Sequence, residues 1–478
     1  MGKVYLVGAG VGSLDMYTLK AMDCIKKADC LIYDHIIDEA ILDYTKKDCE
    51  VIYAGKKASH HTLKQEEINQ LLVEKAQVYD CVVRLKGGDV YVFSRGGEEG
   101  EYLYKHNVSF EVVPGVSSVT GGLAYAGIPL THRGLSSGFE VHTVSLKKNE
   151  RKTLNFKGML DDDKTYVFLM GMKHLEYIVE GFIEAGKDLD TPIAIISNAS
   201  LDNQKVLTGT LGTIIALYNE NPLPTPGIIV VGQVIKMRKY LNFYESRPLF
   251  YKNILITTIN DDHYIYNEIK DLGATIDEVM TGTIEYLQPD IPMLNGYLIL
   301  ASKHGVIGFM EAYLKQYKDL RFLSKTRIMC IGNKTNQILK QYGLEADYVP
   351  TTSDSDQLNE LLDFLIDDYY IYLVQGSLIS NIKVYDEIIS VYKNVEVPIS
   401  EEVKHYDYAF FTCASSVERF SKNNQSTIDT FISIGKQTSK AIRKAYGEVR
   451  ILECNKSSKD EMITLLRRDL TCSTVAED

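Results

Sequence analysis

The 478-residue sequence contains no apolar run near the roughly 20 residues that a bilayer-spanning helix requires, so no membrane partner is expected. Basic residues are outnumbered, with 52 Lys and Arg against 64 Asp and Glu and a formal net charge of -12. Nucleic-acid binding, which needs cations to neutralise phosphates, is therefore not expected either. The eight cysteines are scattered, with no C-x-x-C pair. That pattern writes neither a zinc site nor a disulfide framework, and no metal is expected. At the amino terminus Val4-Tyr5-Leu6-Val7 runs into glycines and then Asp15 before an export signal can form, so the cytoplasm is the expected compartment.

The composition is that of an ordinary globular protein, 45% hydrophobic and 24% charged. Its length suggests about three compact units at roughly 150 residues each. Apolar runs alternate with amphipathic stretches, the rhythm of α/β architecture. Strands are expected at 3–8, 30–34, 81–85, 165–171, 192–196 and 227–232, with helices over 14–27 and from Thr62, where Gln65 completes a capping box. The polar, aromatic and proline-bearing segment 239–252 breaks the rhythm, and a fresh strand starts at Ile254. The expected domains are 1–245 and 250–472.

Beyond that break lies a weak internal repeat. LILASKHGV (298–306) precedes CIGNKTNQIL (330–339) and then Tyr342-Gly343, while AFFTCASSV (409–417) precedes SIGKQTSKAI (433–442) and then Tyr446-Gly447. Each copy reads as a strand, a small polar turn and an Ile-Gly-x-x-Thr helix start, which predicts a bilobed carboxy-terminal half.

In the first half, Gly8-Ala9-Gly10-Val11-Gly12 follows a strand and suits either a tight structural turn or an anion at a helix start. With Asp34 it also imitates part of a dinucleotide fingerprint, so a nicotinamide-dependent oxidoreductase is one alternative. The stretch RLKGGDVYVFSRGGEE (84–99) carries two glycine pairs, the first ending a strand where a ligand can approach the main chain. PGVSS (114–118) and YAGIPLTHRG (125–134) add another small-residue turn and a basic tip. Lys56, Lys57, His60, His61, Arg84, Lys86 and Arg95 could hold several carboxylates if the fold gathers them.

From residue 3 to about 245 these motifs resemble the uroporphyrinogen-III C-methyltransferase branch of the tetrapyrrole methylases. The resemblance implies two α/β lobes, a homodimer, and methylation of uroporphyrinogen III at two pyrrole carbons to precorrin-2, on the route to sirohaem and cobalamin. S-adenosylmethionine would be the donor and S-adenosylhomocysteine its product. By motif position, Val11, Gly87, Gly88, Asp89, Val92, Ser117, Ser118, Met170 and Ala199 would hold the donor. Asp34 and Lys56 match the proton acceptor and proton donor.

From about 250 to 470 the joint Ser246-Arg247-Pro248 and the duplicated units resemble a fused uroporphyrinogen-III synthase. That implies two lobes around a cleft and cofactor-free cyclisation of hydroxymethylbilane with inversion of its last ring. Ser302, Thr335, Thr412, Ser415 and Thr438 would face the cleft, although Thr335 and Thr438 could instead be capping hydroxyls. The tyrosine expected between Gln375 and Tyr406 is not identifiable around 395–401. A lobe that binds tetrapyrrole without catalysis is the alternative for this half.

Overall fold

The computed structural model describes residues 2–34, 37–55, 63–144, 153–260, 262–350, 355–364, 369–376 and 382–474. Two compact units are present, Met1–Tyr251 with Leu272–Thr275, and Lys252–Asp271 with Ile276–Asp478.

The first unit is built on two five-stranded sheets. One contains β1 (Lys3–Gly8), β2 (Cys30–Tyr33), β3 (Glu50–Tyr53), β4 (Cys81–Lys86) and β5 (Phe110–Val113) in the order β3-β2-β4-β1-β5, all parallel. A parallel sheet covered on both faces needs strands with little polar alternation, and β2 is buried at all four residues. Val4, Leu6, Ile32 and Val82 pack beneath the helix Gln65–Val78, while Val7, Leu31, Val83 and Leu85 fill the opposite face with Ala21 and Ile25.

Two helix starts differ from expectation. Residues 14–27 are not one helix, because a single 3-10 turn at Leu14–Met16 precedes the helix Leu19–Lys27. Thr18 resets the chain there, its Oγ1 accepting the Ala21 N–H at 3.1 Å. The second helix begins at Gln65 rather than at Thr62, which lies outside the described residues, and Glu67 Oε2 accepts the Lys64 N–H at 2.5 Å.

The other sheet contains β6 (Gly138–Thr143), β7 (Lys164–Leu169), β8 (Pro192–Ser197), β9 (Lys205–Thr210) and β10 (Gly227–Val231) in the order β6-β7-β10-β8-β9. It is mixed: β6 runs parallel to β7, while β10 opposes both β7 and β8, and β9 opposes β8. Consequently β7 and β8 point the same way, and the segments leaving them emerge at one end of the sheet.

The second unit has a single nine-stranded sheet. Its strands are β11 (Asn253–Ile259), β12 (Thr275–Tyr286), β13 (Gly296–Leu300), β14 (Thr326–Cys330), β15 (Ile371–Gly376), β16 (Glu387–Glu396), β17 (His405–Phe411), β18 (Thr427–Ser433) and β19 (Arg450–Glu453). Their order is β14-β13-β15-β16-β12-β11-β17-β18-β19. The parallel blocks β14-β13-β15-β16 and β11-β17-β18-β19 are joined by the antiparallel pairing of β12 with β16. Each block has its own core, around Phe309 and Leu298 in one and around Phe411 and Phe431 in the other.

The repeat is structural. Ser302 and Cys413 cap the helices Lys303–Tyr317 and Ala414–Asn423 with nearly the same dihedrals, φ -165° and ψ 164° against φ -161° and ψ 160°. Gly332 and Gly435 cap Asn333–Gln341 and Lys436–Tyr446 in matching extended conformations. Among the described residues no helix is long and apolar enough to cross a membrane.

Candidate functional site

Three main-chain segments close on one another where β4, β1 and β5 end. The Ala9 N–H donates to Lys86 O at 2.8 Å, and Gly10 and Gly88 exchange two bonds, at 3.1 and 2.7 Å. A Cβ on Gly8 would stand 2.5 Å from Gly115 N, and one on Gly115 would stand 2.3 Å from Gly88 O. Only glycine lets these loops approach so closely. Asp89 ties them together: Oδ2 accepts the Gly115 N–H at 3.1 Å and Oδ1 accepts the Tyr91 N–H at 2.8 Å. Two further lone pairs remain on that carboxylate for a ligand.

Gly88 is different. Its φ is +69°, and a Cβ there would find only Ser118 N, 3.9 Å away. Gly87, Gly88 and Asp89 are half-buried, so the elbow is an open cradle of main chain rather than a packed one.

The segments that follow β1, β4 and β5 also meet residues of the second sheet. Val11 and Val92 pack against the apolar cluster that contains Val119, Ala199 and Ile228. Ser200 Oγ donates to Val11 O at 2.5 Å. Ser117 Oγ accepts the Val119 N–H at 3.3 Å, and a Cβ on Gly122 would lie 3.1 Å from Ala199 Cβ and 3.9 Å from Ser118 Cβ. Met170 leaves β7 in the left-handed region (φ 54°), half exposed, rather than continuing the strand expected to reach residue 171. Since Leu169 pairs with Ile228 and Ser197 with Gly227, Met170 and Ala199 sit at the same end of the second sheet.

Asp34 follows Tyr33, the register partner of Leu85, and so lies one strand away from the elbow. Arg84 Nη2 donates to Asp34 Oδ2 at 2.7 Å; the Arg84 side chain is 2% exposed and that of Asp34 is 32% exposed. Behind them Glu99 Oε1 accepts from Lys86 Nζ at 2.7 Å, Gln65 Nε2 at 3.1 Å and Arg84 Nε at 3.4 Å. Burial lowers the Lys86 pKa and the Arg84 charge adds to that shift, against the pull of Glu99.

Several expectations change here. Arg84 and Lys86 do not line a carboxylate-binding surface, because both are buried in this network. Arg95 pairs with Glu98, at 3.0 Å from Nε to Oε1. The glycine turn does not open a helix, since a 3-10 turn intervenes and a Cβ at Gly12 would meet Ser200 Oγ at 2.1 Å. A dinucleotide fingerprint is therefore not formed. Lys56, Lys57, His60 and His61 lie outside the described residues.

In the second unit Ser302 Oγ accepts the Gly305 N–H at 2.9 Å and lies 3.1 Å from Tyr392 Oη. Tyr392 faces Tyr286 across β16 and β12, and Tyr286 Oη lies 2.8 Å from His304 Nδ1. A Cβ on Gly376 would meet the Tyr392 ring at 2.2 Å, so glycine makes room for that ring. Burial, with the Lys303 charge, pushes the His304 pKa down to about 4. Thr412 and Ser415 occupy the corresponding edge of the other block, half-buried, with Ser415 Oγ 3.2 Å from Cys413 Sγ. Thr335 and Thr438 are buried at the third residue of their helices. Neither is a cap, because Gly332 and Gly435 hold those positions.

Sequence reasoning missed Tyr392, Tyr286, His304 and Glu99. The tyrosine pair depends on cross-strand register, which one sequence does not display. Glu99 was legible as an anomaly, an acid on the inner stripe that holds Gly96, Gly100 and Leu103.

Residues 3–215 match the family model of tetrapyrrole (corrin/porphyrin) methylases, and residues 266–463 match that of uroporphyrinogen-III synthase HemD. A porphyrin biosynthesis protein HemD from Ruminiclostridium josui is 33% identical over 494 residues, covering 97% of each chain. The uroporphyrinogen-III C-methyltransferase of Priestia megaterium is 43% identical over 235 residues, which is 49% of this chain and 99% of that protein. The chain spans only 44% and 49% of the siroheme synthases of Psychrobacter arcticus and Psychrobacter cryohalolentis. A crystal structure of uroporphyrin III C-methyltransferase from Thermus thermophilus is 36% identical, covers 49% of this chain and 99% of its own, and has a TM-score of 0.43.

Proposed function

The chain belongs to the porphyrin biosynthesis proteins that join a tetrapyrrole methylase to a uroporphyrinogen-III synthase, and we propose that it makes and then methylates uroporphyrinogen III. In this reading the second unit cyclises hydroxymethylbilane, without a cofactor, to uroporphyrinogen III. The first unit then methylates that product at two pyrrole carbons to precorrin-2, on the route to sirohaem or cobalamin. A homodimer through the first unit and a cytoplasmic location complete the proposal.

The observation that carries it is the open main-chain cradle at Gly88, bordered by Asp89 and Ser118, together with the apolar cluster that Val11, Val92 and Ala199 share with Val119. An adenosyl donor presents polar ribose and amino groups on a flat apolar base, which suits main-chain groups and a carboxylate beside small apolar side chains. In this reading Gly87, Ser117 and Met170 also contact the donor. When bound, S-adenosylmethionine supplies a methyl group already activated on a sulfonium.

The remaining work is alignment and proton transfer. A carbon–sulfur bond breaks, a carbon–carbon bond forms on the ring, and the ring gives up one proton. Asp34, one-third exposed and held by Arg84, is the acceptor in this reading, with Lys56 as donor.

In the second unit, closing the ring expels the terminal hydroxyl as water, so a proton must reach that oxygen. Tyr392, held by Ser302 and backed by Tyr286 and His304, offers hydroxyl donors at the carboxyl ends of parallel strands, where α/β sheets bind ligands. Ser302, Thr412 and Ser415 would receive side-chain carboxylates of the substrate, and Thr335 and Thr438 would support them from within their helices.

Calorimetric titration tests the first unit. S-adenosylhomocysteine is expected to bind and NAD to give no heat; NAD binding without the adenosyl donor would replace this reading with the oxidoreductase one.

A further inference from the structure

Glu99 is fully buried on the inner face of the helix Gly96–Lys105, and a carboxylate in that position is costly unless its charge is used. One oxygen, Oε1, gathers Lys86, Gln65 and Arg84, while Oε2 makes no hydrogen bond among the described residues. All three bonds fall on the oxygen that also holds Arg84.

The Arg84 guanidinium is a rigid plane, so fixing part of it aims the rest. Nε is held by Glu99 at 3.4 Å, and Nη1 by the carbonyls of Ile32 and Leu85 at 3.4 and 3.3 Å. Nη2 is thereby directed at Asp34 Oδ2, at 2.7 Å.

We propose that Glu99 is a positioning residue for methyl transfer, fixing Arg84 so that its Nη2 holds the Asp34 carboxylate in place as the acceptor of the ring proton. The inference rests on the reading of Asp34 as that acceptor.

The test compares Glu99→Leu, Glu99→Gln and Asp34→Asn with the wild-type full chain, using uroporphyrinogen III and S-adenosylmethionine. Leucine removes the acceptor at Oε1, whereas glutamine keeps an amide oxygen there for Arg84, Lys86 and Gln65 and puts its nitrogen where Oε2 makes no bond. Glu99→Leu is expected to lower kcat roughly tenfold, less than loss of the acid-base group itself, with the donor KM changed by less than about twofold. Glu99→Gln is expected to restore kcat.

A Glu99→Leu enzyme with wild-type kcat overturns the proposal, as does one that loses only thermal stability. Where that variant does not fold, Glu99→Leu combined with Lys86→Met removes the buried cation together with its partner; a kcat loss that Glu99→Gln does not show supports the proposal and wild-type kcat defeats it. If Asp34→Asn itself methylates normally, the reading of Asp34 falls first. If Asp34→Asn is inactive and Glu99→Leu is unchanged, only the positioning role falls.

Discussion

Arg84 and Asp34 form a one-sided ion pair: the guanidinium is 2% exposed while the carboxylate is 32% exposed, 2.7 Å away on the neighbouring strand. The cation is locked and the anion faces outward. A surface ion pair would leave both ends mobile, whereas this one presents a fixed carboxylate beside the Gly88 elbow.

Asp34→Asn should abolish methyl transfer and leave S-adenosylhomocysteine affinity within about twofold, because the donor cradle is built from other segments. The fold should lose about 1 kcal/mol, since solvent on the Asp34 side screens the unpaired Arg84. Methylation assays, calorimetry and denaturant unfolding check the three parts. Equal loss of activity and donor affinity would make Asp34 a donor-site or folding residue.

Gly88→Ala should cost about 1–2 kcal/mol of stability, the penalty for a Cβ in the left-handed region. Its methyl group would project into the open cradle, where it meets only Ser118 N at 3.9 Å. Donor-analogue affinity should therefore fall roughly tenfold or more even where folding is retained. Unchanged affinity in calorimetry would place the donor elsewhere.

Tyr392→Phe keeps the ring that Gly376 accommodates and removes only the hydroxyl beside Ser302. Conversion of hydroxymethylbilane to the type III ring should fall roughly 100-fold, a general-acid effect, while methylation of supplied uroporphyrinogen III stays at the wild-type rate. Separate assays of the two reactions check this.

His304 sets a pH dependence for the second unit. Its pKa is about 4 in the fold against an ordinary 6.5, so the unfolded chain takes up the proton first as the pH falls. The associated stability is fully present above pH 6.5 and is lost as the pH falls through the folded value near 4. Thermal unfolding between pH 7 and 5 should show a falling midpoint for this unit, and His304→Gln should flatten that slope.

Much of the architecture was legible because it rests on local chemistry. The run CVVRL reads as a buried parallel strand, and β4 is the central strand of its sheet. The paired Ile-Gly-x-x-Thr turns became helix starts with matching glycine caps. What was not legible depends on register or on charge partners distant in the chain. Tyr286 and Tyr392 are 106 positions apart and meet only through the antiparallel ribbon. Arg84 and Lys86 read as ligands for an anionic substrate, yet Glu99 draws them inward. The start at Leu19 was hidden because Thr18 caps a helix within an otherwise helical pattern.

The most direct measurement supplies the intact chain with hydroxymethylbilane and S-adenosylmethionine together and follows precorrin-2 by absorbance and mass. Precorrin-2 formed from the bilane, with no other enzyme present, is the predicted result. Accumulation of only the type I ring, with supplied uroporphyrinogen III still methylated, would contradict the synthase half; no methylation of either substrate would contradict the whole account.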